Sequence, residues 1–268
     1  MKPLKSYINI KKKPSTIIAN NDNLEKIVLD QINAFGIDAD MNHIDTNEVT
    51  HMIDTFSKTN FCGDVSKWDV SNVTIFNSTF AFCKDFDCDL SQWETTSAKS
   101  MISMFWGCTN FTAQGLERWD MSNASKLNGM FYRCGSLTGE NLADWKFKSL
   151  ENTRLMFNGC TRLNVDLSKW NAEKLFDTYQ MFEECVSLEY VPKWDLSNAF
   201  LVENMFNGCK KLIKNKDFSN ITLSRKSYNK SKYEDENEWL YSLMFDTNDY
   251  YVSALKKDYP DIILPTVK

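Results

Sequence analysis

One internal repeat, recurring at steps of 24 to 26 residues, dominates this sequence. Self-similarity at a fixed period indicates stacked supersecondary units. Four columns keep one register, namely tryptophan (Trp68, Trp93, Trp119, Trp145, Trp170, Trp194, then Phe218), phenylalanine (Phe80, Phe105, Phe131, Phe157, Phe182, Phe206), cysteine (Cys83, Cys108, Cys134, Cys160, Cys185, Cys209) and a bulky apolar residue (Phe86, Phe111, Leu137, Leu163, Leu188, Leu212). One unit cannot bury its apolar residues alone, so neighbouring units must stack.

The residues around each tryptophan predict a short strand, a turn and a short helix. Over 86–90, before Trp93, apolar and polar residues alternate, which is typical of a strand. Over 73–80 the apolar residues recur at the spacing of one helix face. Between such segments, Asp-x-Ser-Asn at 69–72 offers side-chain oxygens for a turn and a helix cap.

We therefore expect an α/β repeat solenoid of about seven coils, with the strands in a parallel sheet and helical caps at both ends. The solenoid is predicted to span 44–220. Residues 1–43 are predicted to form an arm and a capping helix at 21–35, and the arm up to Pro14 is a candidate docking peptide. Residues 221–268 form either a C-terminal cap with one or two helices or a docking element that orders on its partner.

Two motifs within the columns carry a family resemblance. They are the run Phe-Cys-Gly-Asp-Val-Ser-Lys-Trp-Asp-Val-Ser-Asn-Val-Thr at 61–74 and Met-Phe-x-Gly-Cys at 104–108, 156–160 and 205–209. Together they resemble the BspA-like leucine-rich-repeat family, in the branch of short repeats ending in Met-Phe-x-Gly-Cys. The resemblance covers about 44–220. It implies a leucine-rich-repeat-like solenoid used for adhesion or protein binding, with no active site to carry over.

The chain departs from the better-known family members, which are bacterial surface proteins with secretion signals. Its N-terminus lacks the apolar stretch of such a signal. Signal-less relatives with a lysine-rich N-terminal arm look like products of large tailed phages. The resemblance thus implies a phage-encoded protein in the virion or the host cytoplasm, and a bacterial surface adhesion protein is the alternative.

Charge and hydropathy exclude two classes of partner. The net charge is −5, and the one basic cluster, Lys11–Lys13, is short. Nucleic-acid binders usually carry a clustered basic surplus, so we expect no nucleic-acid partner. No apolar run approaches the roughly 18–20 residues that a membrane helix needs, so we expect no membrane insertion.

The side chains that could carry chemistry favour a structural interpretation. Cys-x-x-Cys does not occur, and the two histidines, His43 and His51, lie apart from the cysteine column. Buried cysteine behaves as a small hydrophobe. Neither a phosphate-binding glycine loop nor a serine elbow is present. We predict no catalytic, cofactor-binding or metal-binding residues, and hence no enzyme.

Residues that break the columns are the candidate binding residues. The position after the column phenylalanine turns polar in later coils, so it should be exposed. Trp106 and Tyr132 occupy it in adjacent coils, and such aromatic pairs are favoured interface anchors. Alternatively, they pack on the C-terminal cap or the next loop. The position reads, in order, Ala81, Trp106, Tyr132, Asn158, Glu183, Asn207.

A polar, acidic row on the outward face of the predicted sheet is the second candidate surface. It would suit a basic or polar partner, or it is simply a solvated face. The row contains Asp64, Asp87, Asp89, Thr112, Asn164, Asp166, Glu189 and Tyr190. The predicted protein-binding residues are accordingly Trp106, Tyr132, Asp87, Asp89, Asp166, Glu189 and Tyr190.

The sequence therefore predicts a non-catalytic module that binds another protein. The first hypothesis is a structural or attachment component of a phage particle, and the second is a cytoplasmic effector that modulates a host protein. The identity of the partner and the oligomeric state are left open by the sequence.

Overall fold

The chain is described here from a computed structural model. The structure describes residues 15–215, 217–224, 236–243 and 261–267. The predicted arm up to Pro14, with Lys11–Lys13, lies outside these residues, as does most of the predicted C-terminal segment 221–268.

Regular helices and strands are few and short in the described chain. The strands are β1 (Ile17–Ile18), β2 (Ile44–Asp45), β3 (Asp195–Leu196), β4 (Thr222–Leu223) and β5 (Thr266–Val267), and the α-helices are α1 (Leu24–Phe35), α2 (Lys210–Asn215) and α3 (Glu236–Tyr241). Single 3-10 turns lie at Leu116–Arg118 and Glu140–Leu142. Strand β1 pairs with β2, and β4 lies between β3 and β5, all in parallel.

The repeats are joined through seven turn segments of eight residues each. These segments, together called the turn face, are 51–58, 75–82, 100–107, 126–133, 152–159, 177–184 and 201–208. Their first residues form one row of parallel bridges from His51 to Leu201. In each segment but the last, every second residue donates its backbone N–H to a carbonyl of the next segment, giving four hydrogen bonds per junction. Consecutive repeats therefore lie side by side in a fixed register.

The fourth and eighth residues of every turn segment have positive φ. In 75–82 these are Ser78, with φ 56°, and Phe82, with φ 65°. The N–H groups of Thr79 and Cys83 bond to the carbonyls three residues earlier, which closes two turns with the positive φ that type II turns require. A non-glycine left-handed residue costs about 1–2 kcal/mol. Four inter-repeat hydrogen bonds, each contributing about 0.5–1.5 kcal/mol net, offset two such residues.

The short helix expected in each repeat is absent from the seven described turn segments. Segment 73–80 contains turns instead. Within it Phe76, Thr79 and Phe80 are buried, which is the spacing i, i+3, i+4 that a helix face also shows. Tandem four-residue turns and a helix therefore bury nearly the same positions, and the apolar pattern cannot separate them.

The predicted strand over 86–90 keeps its alternating burial but forms no ladder. Here side-chain oxygens join isolated backbone carbonyls, such as that of Thr138, as acceptors between repeats. The N–H of Thr112 donates to Oδ1 of Asp87 at 2.8 Å, and the N–H of Glu189 donates to Oδ1 of Asn164 at 3.0 Å. On this side the described repeats are thus linked through polar side chains and isolated backbone hydrogen bonds rather than through a continuous ladder. The assignment to leucine-rich-repeat-like solenoids stays a prediction.

The core columns pack against their own counterparts one repeat away. The rings of Trp93 and Trp119 are parallel within 1°, with centroids 6.2 Å apart. From Phe80 to Phe206, neighbouring rings of the phenylalanine column lie 5.5–5.7 Å apart. Each column tryptophan also donates its indole N–H to a carbonyl of the preceding repeat, as Trp119 does to Leu90 at 3.1 Å. These bonds satisfy a buried polar group and fix the register.

Helix α1 covers the first repeat. A helix was expected over 21–35, and α1 begins at Leu24 and ends at Phe35. Leu24 and Val28 are buried in the common core. No side chain caps the N-terminus of α1, because Oδ1 of Asn23 accepts a hydrogen bond from the N–H of Asn20 rather than from α1.

Residues 239–243 cover the last repeat. Trp239 and Leu243 are buried in the same core. The N–H groups of Asn204 and Phe206, which have no further turn segment to pair with, donate to the carbonyls of Ser242 and Leu243 at 2.5 and 2.7 Å. This short stretch thus supplies two of the acceptor carbonyls that a further repeat would provide.

The tryptophan column is expected to carry a large share of the stability. Trp119→Ala should lower the free energy of unfolding by about 3–5 kcal/mol, because it removes a buried ring and leaves a cavity. Trp119→Phe should cost about 1–3 kcal/mol, because the smaller ring leaves a void and the carbonyl of Leu90 keeps only the N–H of Trp93 as a donor. Urea unfolding followed by circular dichroism measures both. The exposed Phe200→Ala variant is the control, with an expected change within about 0.5 kcal/mol.

Glycine substitution distinguishes tandem turns from a helix. Ser78→Gly should raise the free energy of unfolding by up to about 1 kcal/mol, because glycine relieves the left-handed backbone. In a helix the same change would lower it by about 0.5–1 kcal/mol. The matched control is Ser57→Gly, at a position without positive φ, which should destabilise. Equal losses in both variants would contradict the turn geometry.

Candidate protein-interaction surfaces

The aromatic pair lies where the sequence register predicts it, in adjacent turn segments. The rings of Trp106 and Tyr132 stack with centroids 3.9 Å apart and an interplanar angle of 21°. Both side chains are half-buried. The Trp106 ring lies over Gly129, where an added Cβ would come within 2.8 Å of the ring. Gly129 also has φ +59°, so a glycine there serves both the turn and the seat of the tryptophan.

The position after the column phenylalanine is less exposed than predicted. Ala81 and Asn158 are buried there, and the other members are half-buried. The polar members are engaged with each other, since Oε2 of Glu183 accepts from Asn158 at 2.7 Å and Oε1 accepts from Asn207 at 2.8 Å. Polarity at this position therefore reflects bonds between repeats rather than solvent exposure.

Arg133 is a surface residue that the column pattern missed. It is exposed, and its guanidinium carbon lies 5.2 Å from the Tyr132 ring centroid, within cation–π range. Trp106, Tyr132 and Arg133 thus form one continuous group, here called the aromatic–arginine cluster. The signal in the sequence was the adjacent pair Tyr132-Arg133. The short helix predicted for each repeat gave no reason to place two adjacent side chains on one face.

The acidic candidates already hold the chain together. Oδ1 of Asp87 accepts hydrogen bonds from both the N–H and the hydroxyl of Thr112, each at 2.8 Å. Asp89 and Asp166 accept the N–H of the serine two residues later, at 2.8 and 2.9 Å. These turns are the ones expected of Asp-x-Ser segments. All three carboxylates remain exposed, so a structural role and a surface role coexist.

The acidic row divides into two separate open clefts. Asp87 and Asp89 line the first cleft, and Asp166, Glu189 and Tyr190 line the second. The first cleft also contains Asp38, Cys62, Asp64, Asp85 and Cys88. In the second, Glu189 accepts from Lys211 at 2.7 Å, and Tyr190 is 48% exposed. The structure therefore brings together three of the predicted residues at one site and two at another.

The six column cysteines are each hydrogen-bonded thiols. Each Sγ lies 2.9–3.1 Å from the carbonyl of a phenylalanine in the preceding repeat, Phe56 for Cys83 and a column phenylalanine for the other five. Burial raises the pKa of Cys83 to about 11, and that of Cys134 well above its ordinary value. Thiols with raised pKa values stay protonated at neutral pH and are poor nucleophiles.

Two further observations concern the described residues alone. No three histidine, cysteine, aspartate or glutamate side chains among them are arranged to hold a metal ion. None of their helices is both long and apolar enough to cross a membrane.

Comparison with known proteins places this repeat architecture in a family. The family model described as Mycoplasma protein of unknown function, DUF285, matches residues 23–140 and, in a second match, 125–241. The chain belongs to the DUF285 family. Repeats of the DUF285 family are related to BspA-like repeats. The two matches begin about four repeats apart, as an internal repeat allows. No curated protein and no solved structure matches the chain.

Thiol reactivity tests the role of the cysteine column. In the native protein, a dithionitrobenzoate reagent should modify only the half-buried Cys62 and Cys88 in a phase more rapid than unfolding, and all eight thiols should react in denaturant. Cys88 should be the slower of the two, because burial raises its pKa to about 12. The column thiols should react at the rate of unfolding, because burial keeps them protonated and inaccessible. Replacing Cys62 and Cys88 with serine should remove the rapid phase. Rapid native modification of Cys134, located by mass spectrometry, would contradict this role.

Proposed function

We propose that this protein is a non-catalytic module that binds another protein through its turn face. The observation that carries the proposal is the stacked, half-exposed pair of Trp106 and Tyr132, with Arg133 beside it. Tryptophan, tyrosine and arginine are the residues most enriched at the energetic centres of protein interfaces. The turn segments beneath them are tied by four backbone hydrogen bonds per junction, which gives the cluster a rigid support.

The chemistry of the remaining polar groups supports binding rather than catalysis. The column thiols are hydrogen-bonded and have raised pKa values. Among the candidate carboxylates, Asp87, Asp89 and Asp166 each accept a backbone N–H. These groups are engaged in structural hydrogen bonds, Asp87 between two repeats and Asp89 and Asp166 within a turn of their own repeat.

The second cleft is an additional candidate surface. Asp166, Glu189 and the exposed Tyr190 lie together there, beside Lys193. An exposed ring among carboxylates suits a polar partner with cationic groups. We place it second because Glu189 is already paired with Lys211.

The three biological settings inferred from the sequence differ in the partner. A structural or attachment component binds a protein of the phage particle, an effector binds a host cytoplasmic protein, and an adhesion protein binds outside the cell. Fixed stoichiometry in purified particles supports the first setting. Capture of one host protein from lysate supports the second setting. Neither of these two results supports the third setting.

Removing the aromatic pair should strongly weaken partner binding. The Trp106→Ser/Tyr132→Ser variant should bind its partner at least about 30-fold more weakly, because interface anchors contribute about 2 kcal/mol or more. The measurement is quantitative mass spectrometry of proteins retained on the immobilised chain, followed by titration of the retained protein. Tyr190→Ser is the matched control, since it removes an exposed ring from the second cleft.

Both variants must keep the wild-type circular dichroism spectrum and unfolding midpoint. Undiminished binding by the folded double variant would overturn the turn face as the binding surface. Loss of binding in Tyr190→Ser alone would move the site to the second cleft.

A further inference from the structure

The eighth position of the turn segments carries an alternation of charge and glycine. Arg133 and Glu184 occupy this position two repeats apart, and Gly159 lies between them. Both charged side chains are exposed, and each lies across the glycine of the next repeat, Arg133 over Gly159 and Glu184 over Gly208. The position reads, in order, Lys58, Phe82, Gly107, Arg133, Gly159, Glu184, Gly208.

The charges of the turn face are segregated along the stack. The first five turn segments contain four cationic side chains and one anionic one, namely Lys58, Lys126, Arg133, Arg154 and Asp54. The last two segments contain only anionic charges, namely Asp177, Glu183, Glu184 and Glu203. The turn face is therefore positive over most of its length and negative at its C-terminal end.

We propose that the turn face binds the turn face of a second copy of this chain, in antiparallel orientation. This inference rests on the proposed function, because it names the occupant of the aromatic–arginine cluster. A two-fold axis across segment 152–159 places Arg133 of one copy opposite Glu184 of the other, twice by symmetry. It also places Gly107 opposite Gly208 and Gly159 opposite itself, and the side chains that lie over these glycines, Phe82, Arg133 and Glu184, are then the ones that meet the second copy.

The same axis covers the aromatic pair. Tyr132 then faces Glu183 of the second copy, and Trp106 faces Asn207. Arg154 faces its own counterpart, but its charge is already balanced by Asp177 at 3.9 Å and its guanidinium lies over the Tyr179 ring at 4.2 Å. The arrangement leaves no unbalanced like charges at its centre.

Charge complementarity selects the antiparallel orientation. A parallel pair, with the two-fold axis along the row of eighth residues, would place Arg133 opposite Arg133 and Glu184 opposite Glu184. Like charges directly opposite each other across an interface are strongly unfavourable. Reversal of the stack direction turns both repulsions into attractions, and it uses a single self-complementary surface.

Charge reversal with exchange of partners tests the pairing. Sedimentation equilibrium of the full chain at low salt should show a reversible dimer. Arg133→Glu and Glu184→Arg should each raise the dimer dissociation constant at least about tenfold, since each places like charges opposite each other. An equimolar mixture of the two variants should dimerise like the wild type, because both contacts are then Glu–Arg pairs. Lys174→Glu, an exposed lysine outside the turn face, should have no effect.

The outcomes separate this inference from the proposed function. A chain that is monomeric at all concentrations overturns the dimer, as does a dimer that neither reversal weakens or that the mixture fails to restore. In those cases, loss of binding to a different protein in the Trp106→Ser/Tyr132→Ser variant would still uphold the turn face as a binding surface. Restoration in the mixture also shows that both variants are folded.

Discussion

The structure depends on backbone hydrogen bonds that run from one repeat to the next rather than within a helix or a long strand. Every second N–H of a turn segment points to the following repeat, and this alternation is possible only because every fourth residue is left-handed. Twelve described non-glycine residues adopt that conformation. Ten of them lie in turn segments, where each donates its N–H to the next segment or to Ser242, and these bonds hold the strained backbone in place.

The indole N–H groups and thiols of the largely apolar column side chains set the register of the core. An all-leucine core could slide or repack, since dispersion contacts are not directional. Here each column tryptophan donates its indole N–H to a carbonyl one repeat earlier. Each column thiol lies within hydrogen-bonding distance of a different carbonyl of that earlier repeat. The columns are therefore both the hydrophobic core and a set of fixed positions. A surface carried by such a stack inherits its spacing, which is why Trp106 and Tyr132 meet face to face.

The turn face acquires its chemistry from positions that the core does not use. Residues such as Arg133 and Glu184 sit at left-handed positions, whose side chains leave the core and cross the next repeat. Substitution there changes the surface charge and leaves the buried core in place. The repeats thus form a uniform scaffold on which aromatic, cationic and anionic groups are distributed segment by segment, which is the arrangement a protein-binding surface needs.

The amino-acid sequence alone determined the repeat period, the four core columns and the adjacency of Trp106 and Tyr132, because equal spacing in sequence becomes equal position when units stack. It also indicated α1, whose apolar face has a clear helical period. It could not distinguish a helix over 73–80 from tandem turns, since both bury residues such as Phe76 and Phe80. Nor could it show that Asp87 bonds to Thr112 of the next repeat. Tertiary structure decided those features. A backbone N–H can bond to an acceptor of the neighbouring repeat instead of a local one only after that repeat has packed against it.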